Sequence, residues 1–364
     1  MSMMKSLIFV GPGKIEITEK KIPDVGPNDA LIKITTTTIC GTDIHIFKGE
    51  YPVDKGLTIG HEPVGTIEKL GSAVMGYEEG QRVIAGAICP SFTSYASQDG
   101  FPSQDGGYIG PDGTCACHGY KATGGWRFGN IIDGTQAEYV LVPDAQANLA
   151  PVPDGLSDEQ VLMCPDIMSI GFKGAENANI KIGDIVAIFA QGPIGLCATA
   201  GAKLRGASTI IAIDGNNERL AMAKKLGADI TLNFNEVDVI DEIMKITGGR
   251  GVDSSIEALG LQSTFEQCLK ILKPGGTLSS LGVYSEDLKI PMAHFAAGLG
   301  DHTIRTALCP GGKERMRRLL NVVESGRVDL SEMVTHTYAL DDIVDAYDLF
   351  MHQRDGVLKI AIKP

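Results

Sequence analysis

Short apolar runs broken by glycine and proline open the chain. Residues 4–10, 14–20 and 29–36 carry apolar and β-branched side chains with turn residues between them, and they read as strands. "PVGTIEKLG" and "RVIAG" continue that texture. Residues 87–135 interrupt it. Gly, Ser, Asp and Pro dominate there and periodicity is lost, so the stretch reads as a long loop lobe, a feature that is usually functional or interfacial. "AEYVLVP" resumes the strands. From about residue 167 the pattern becomes strand–helix alternation. "DIVAIFA", "STIIAID", "DITLN", "VDSSIEAL" and "GTLSSLG" are short apolar strands. Between them, "GPIGLCATAGAKLRGA", "NERLAMAKKLGA", "VDVIDEIMKITGG" and "LQSTFEQCLKILKPG" place apolar residues at helical spacing, each with a Gly near its end. Alternation with such short connections predicts a parallel, doubly wound α/β sheet. The last segment, "GGKERMRRLLNVVESG" to "VLKIAIKP", predicts two helices and a closing strand.

Composition narrows this picture without changing it. A chain of 364 residues exceeds one ordinary core, so two domains are expected. A formal net charge of −13 opposes a nucleic-acid or anionic-membrane partner. No apolar run approaches the roughly 20 residues that span a bilayer. The first residues read as a strand rather than a signal peptide, and a cytoplasmic location is the expectation. The eight cysteines are scattered, which is not a disulfide framework. Most are expected to be small buried hydrophobes. Only Cys40 and the pair Cys115 and Cys117 have neighbours that invite another reading.

The first chemical signal is a strand–turn–helix–strand run, "IVAIFAQGPIGLCATAGAKLRGASTIIAID". Its turn is Ala190-Gln191-Gly192-Pro193-Ile194-Gly195, a G-x-G-x-x-G pattern with alanine in the first place. Gly192 lets the backbone approach a pyrophosphate, Gly195 lets the helix pack on the strand, and the helix N-terminus offers free amides to phosphate. Asp214 ends the second strand about 20 residues on, where a carboxylate accepts from the adenosine-ribose hydroxyls and repels a 2′-phosphate. The pattern predicts a Rossmann domain that takes NAD, with NADP disfavoured. Arg219, about one helical turn beyond Asp214, would soften that preference. Ala258 and Val283 are further candidates for the dinucleotide site. The competing reading is a helix capped by Asp214 in a domain that binds another nucleotide or none.

The second signal is "CGTDIH" at 40–45 followed by "GHEPVG" at 60–65. Cys40 and His61 are good zinc donors, and a catalytic zinc takes three protein ligands. Glu62 and Asp166 are candidates for the third. Spacing leaves the structural readings equally open: Cys40 as packing, Asp166 as an N-cap after Pro165, His45 as a surface histidine. Asp43 fits either as a turn residue or as the partner that orients a histidine such as His61.

Taken in order, "CGTDIH", "GHEPVG", the Gly-rich lobe, "PDIMSIGFKGAE", the Rossmann turn and "LCPGGKERMRRL" resemble the zinc-dependent medium-chain alcohol dehydrogenases. More narrowly, they resemble the microbial secondary-alcohol dehydrogenases, and the likeness covers nearly the whole chain. The resemblance implies a mainly β, GroES-like catalytic domain over 1–169 and 309–364 and a Rossmann cofactor domain over 170–308. It implies one catalytic Zn²⁺ on Cys40, His61 and Asp166, with Glu62 as a further ligand that enters and leaves. It gives Thr42 the alcohol proton and puts His45 on the proton exit path. Trp126, Leu308 and Cys309 would line a compact apolar pocket for short alcohols or ketones, with Ile88 and Val283 nearby. A homotetramer is implied as well.

The pattern departs from the family in two places. Many relatives hold a second, structural zinc on four closely spaced cysteines. Here Cys89 is followed only by Cys115-Ala-Cys117-His118, and a lobe without metal is the preferred reading. That lobe is also extended over 91–114. Well-studied secondary-alcohol enzymes use NADP, whereas "IDGNNERL" is the NAD arrangement. Competing functions are a polyol, threonine or aldehyde dehydrogenase of the same superfamily, a zinc-free quinone reductase, and a non-enzymatic NAD-binding protein.

Overall fold

The computed structural model describes residues 2–105, 125–284, 286–295 and 297–364. It divides into two compact units, Met1–Ser169 with Cys309–Pro364, and Ile170–Leu308.

The first unit begins with an antiparallel hairpin, β1 (Met3–Gly11) and β2 (Lys14–Lys21). Gly13 makes the turn with φ +74°, a conformation glycine adopts without a Cβ clash. β3 (Ala30–Thr38) follows, then α1 (Gly41–Lys48), which closes on Gly49 at φ +79°. β4 (Val64–Leu70), β5 (Arg82–Ala85), β6 (Tyr139–Val142) and β7 (Leu149–Pro151) complete the first passage through this unit. Their inward residues, among them Ile32, Ile67, Val83, Val140 and Leu149, pack with Phe128 into one core.

The second unit carries the alternation. α2 (Ile167–Asn177) leads into it, and β8 (Ile185–Phe189), α3 (Pro193–Leu204), β9 (Thr209–Asp214), α4 (Asn217–Leu226), β10 (Ile230–Asn233), α5 (Val239–Ile246), β11 (Val252–Glu257), α6 (Gln262–Lys270), β12 (Leu272–Ser280) and β13 (Thr303–Thr306) follow. The strands form one parallel sheet in the order β10-β9-β8-β11-β12-β13. β8 and β9 are apolar along nearly their whole length, which suits strands covered by helices on both faces. The strand order reverses beside β8, and the crevice at such a switch point is where open α/β sheets bind ligands.

The chain then returns to the first unit with α7 (Lys313–Glu324), β14 (Val334–Ala339), α8 (Ile343–Met351) and β15 (Lys359–Lys363). β15 pairs with β3, so the larger sheet reads β14-β15-β3-β4-β5-β7, with β6 also on β3. Four of the elements named above were not foreseen from the sequence. α1 is short and rich in β-branched residues, β7 has three residues, β13 is a polar and largely exposed edge, and Thr and His interrupt β14. Each is ordered by its neighbours rather than by its own pattern.

Candidate functional site

In the first unit, Cys40 stands one residue before α1, His61 and Glu62 lie in the turn before β4, and Asp166 immediately precedes α2. All four are buried, and one donor atom from each lies within 4.8 Å of the others. Asp166 Oδ2 is 3.5 Å from Cys40 Sγ and 3.4 Å from His61 Nε2. An N–O separation of 3.4 Å is long for a hydrogen bond. It suits two ligands of one ion, since bonds of about 2.0–2.3 Å set tetrahedral neighbours roughly 3.3–3.8 Å apart. The donor set of thiol, imidazole and carboxylate is one that zinc accepts.

The electrostatics of the cluster centre on His61 and Asp166. Burial alone would lower His61 and raise Asp166. Instead the charge of Asp43, with Asp166, lifts His61 well above its ordinary range. The hydrogen bond and charge of His61 in turn hold the Asp166 carboxyl down at about 2. Burial pushes the Cys40 thiol up. The carboxylate therefore stays charged, and protons rest on the imidazole and the thiol, positions that metal binding would empty.

Asp43 unites both roles the sequence left open. Oδ2 accepts from the Cys40 amide at 2.9 Å, fixing the start of α1, and Oδ1 faces His61 Nδ1 at 3.5 Å. Gln136 donates to the same carboxylate at 3.1 Å and accepts from the Tyr347 hydroxyl at 2.8 Å, so α8 braces the site from behind. Thr42 Oγ1 is 3.9 Å from Cys40 Sγ. His45 is half-exposed, and its Nδ1 meets Glu50 Oε2. The Trp126 ring is buried edge-on against His61, with centroids 6.1 Å apart, and its Nε1 donates to Phe128 O at 2.7 Å. Ile88 bridges to Trp126, and Cys309 Sγ reaches the Asp166 carbonyl at 3.5 Å. Leu308 belongs to the second unit and is half-buried.

Besides Gln136 and Tyr347, three supporting residues escaped the sequence reading. Lys359 is 1% exposed and donates to Glu62 Oε1 at 2.5 Å. Tyr51 lies against both His45 and Trp126. Asp105 is fully buried and gathers the hydroxyls of Ser94 and Ser97, the amide of Ser91, and Arg127 beside Trp126. A lysine inside a C-terminal strand and an aspartate inside a loop carry no local signal of such use. Cys89 is buried and its thiol is pushed up to about 12 by burial, as a neutral side chain. Cys115 and Cys117, with residues 106–114 of the extension, lie outside the described residues.

In the second unit, Ala190 follows β8 at φ +69°, a left-handed conformation that costs an L-residue about 1–2 kcal/mol. Gly192 is the N-cap of α3, and Pro193, Ile194 and Gly195 form its first turn. A Cβ on Gly195 would stand 1.8 Å from the Ala190 carbonyl, whereas one on Gly192 would meet nothing within 4 Å. The chain thus requires glycine at 195 for packing. At 192 glycine leaves an open approach to free amides at a helix start. Asp214 accepts from Gln191 N at 2.7 Å and Asn216 N at 2.9 Å. It is Asn216, not Asp214, that caps α4. A cavity of about 710 Å³ is lined by Ala190, Asp214 and Arg219 with apolar walls including Phe234, Leu259 and Leu261. Ala258 sits 3.7 Å from the Cβ position of Gly195. Val283 is largely exposed and is not among the residues lining that cavity. Its backbone packs on Gly260 instead.

Among the described residues no helix is long and apolar enough to cross a membrane. Comparison with known proteins agrees with this anatomy. Residues 26–154 match the alcohol dehydrogenase GroES-like domain, and residues 193–325 match the zinc-binding dehydrogenase family. The chain is 78% identical to an alcohol dehydrogenase of Cupriavidus necator, over 100% of this chain and 99% of that one. It is 36% identical to an NADP-dependent isopropanol dehydrogenase of Thermoanaerobacter brockii, over 98% of each. Alcohol dehydrogenase TADH from Thermus sp. ATN1 superposes with a TM-score of 0.86 at 30% identity, over 99% of both chains. With a GroES-like unit, a Rossmann unit and a buried Cys–His–carboxylate cluster in one chain, the protein belongs to the zinc-dependent medium-chain alcohol dehydrogenases.

Proposed function

We propose that the chain interconverts short secondary alcohols and ketones, using NAD in preference to NADP. The observation that carries the cofactor reading is Asp214, an acid at the end of β9 lining the cavity beside the glycine turn. Its carboxylate would bond the adenosine ribose and oppose a 2′-phosphate. NADP use is the second reading, favoured by Arg219 on the same cavity wall and by the NADP-dependent relative.

Cys40, His61 and Asp166 would hold one catalytic zinc, and Glu62 would be a further donor. When bound, zinc supplies a Lewis acid that polarises the oxygen of the alcohol or ketone and lowers the alcohol's pKa. Thr42, beside Cys40, takes the alcohol proton. His45, paired with Glu50, moves it outward. Asp43 orients His61 through Nδ1. Trp126 and Cys309 would give the substrate apolar walls. Such walls suit small alcohols better than sugars, which want several converging polar groups. A cytoplasmic homotetramer without nucleic-acid or membrane partners completes the reading.

The test combines elemental analysis with a panel of alcohols and ketones, followed by nicotinamide absorbance with each cofactor. Stoichiometric zinc and turnover of 2-propanol with NAD are expected. Strong activity on sorbitol or threonine with none on 2-propanol would overturn the substrate assignment.

A further inference from the structure

Four protein donors are one more than a catalytic zinc needs. Four close a tetrahedral structural site, whereas a catalytic site keeps one position open. Cys40, His61, Glu62 and Asp166 are all buried, so exposure does not distinguish them. Their partners do. Asp166 Oδ2 is directed at Cys40 and His61, while Glu62 Oε1 accepts from Lys359 Nζ at 2.5 Å. The other oxygen of Glu62 is buried with no hydrogen-bond partner among the described residues. Glu62 is thus a carboxylate with one oxygen tethered and one unsatisfied.

The tether is itself fixed. Lys359 begins β15 and pairs with Val334 of β14, it is 1% exposed, and its ammonium also donates to the Ile39 carbonyl at 3.2 Å. A buried ion pair of this kind is weak evidence for stability, since well-packed apolar residues do as well or better. Its place behind one of four candidate ligands gives it another use. We propose that Lys359 is a positioning residue that restrains Glu62 and so keeps one coordination position of the metal available to substrate. The proposal rests on the metal reading above.

The test uses zinc-loaded and cobalt-substituted protein, with imidazole as the probe of an open position. In wild type, imidazole should shift the cobalt visible spectrum. In Lys359→Met the released Glu62 should occupy that position. Imidazole affinity and the rate of zinc loss to a chelator should then each fall about tenfold or more, the scale on which partners of metal ligands act. Lys359→Arg should respond as wild type does. The double variant Lys359→Met/Glu62→Gln should regain both properties, because a neutral amide is a poor zinc ligand. Equal imidazole response and equal zinc release in wild type and Lys359→Met would overturn the role of Lys359. Should Lys359→Met fail to fold, Lys359→Gln keeps a donor without the charge, and unchanged imidazole affinity there would overturn it equally. Wild type purified without zinc would instead overturn the metal reading itself.

Discussion

Gly192 and Gly195 stand three positions apart in one turn and lack side chains for opposite reasons. A methyl at 195 collides with the Ala190 carbonyl, so Gly195→Ala must shift α3 away from β8. A methyl at 192 meets no protein atom and would occupy the approach to the amides of α3. Gly192→Ala is therefore expected to melt within a degree or two of wild type while dinucleotide affinity falls about tenfold or more, as expected when a phosphate loses its close approach to a helix start. Gly195→Ala should lose several kcal/mol, in the range of strained overpacking at about 1–3 kcal/mol or beyond. Thermal melts and cofactor titration of the two variants separate these outcomes. Asp214→Gly should raise NADP use relative to NAD, and an unchanged ratio of kcat/KM would contradict the role given to that carboxylate.

At the scale of elements, the described part of the lobe between β5 and β6 is tied by a buried acid, Asp105. Asp105 and Arg127 have side chains 0% and 7% exposed, and three serines add hydrogen bonds to the carboxylate. Burial alone would raise the Asp105 carboxyl, but the Ser91 amide and the Ser97 and Ser94 hydroxyls outweigh it and hold the group below its ordinary range. A carboxyl lowered on folding stabilises the fold above its unfolded pKa of about 3.9, and that contribution is lost as pH falls through the lower folded value. Asp105→Asn should therefore cost about 2 kcal/mol near neutral pH, the loss expected when buried donors and Arg127 lose their partner. Denaturant unfolding should show this gap narrowing below about pH 4. Because Arg127 adjoins Trp126, the same variant should also raise KM for small alcohols. An unchanged KM would mean that the lobe is braced independently of the pocket wall.

For the whole molecule, the proposed metal joins the start of α1, the turn before β4 and the start of α2, segments far apart in sequence. A ligand bound only by the folded state adds about 4 kcal/mol at a thousand times its Kd. Stripping zinc with a chelator should lower the melting temperature by several degrees, and added zinc should restore it. An unchanged melt after verified removal would show that the four donors hold their places without an ion. Light scattering of the intact protein tests the proposed tetramer.

The strand–helix alternation, the glycine turn and the acid ending β9 were legible in the sequence because each is local. Apolar period, backbone freedom and a residue at the end of a strand are properties of neighbours along the chain. The likeness to zinc dehydrogenases likewise rests on contiguous motifs, and those motifs name Cys40, His61, Glu62 and Asp166 as donors. What the sequence could not decide is what stands behind them. Lys359 on Glu62, the Tyr347–Gln136–Asp43 chain behind His61, and Asp105 under the Trp126 lobe all link residues far apart in sequence. The first two exist because β15 and α8 return to the first unit, and all three because a buried polar group must find a partner wherever the fold brings one.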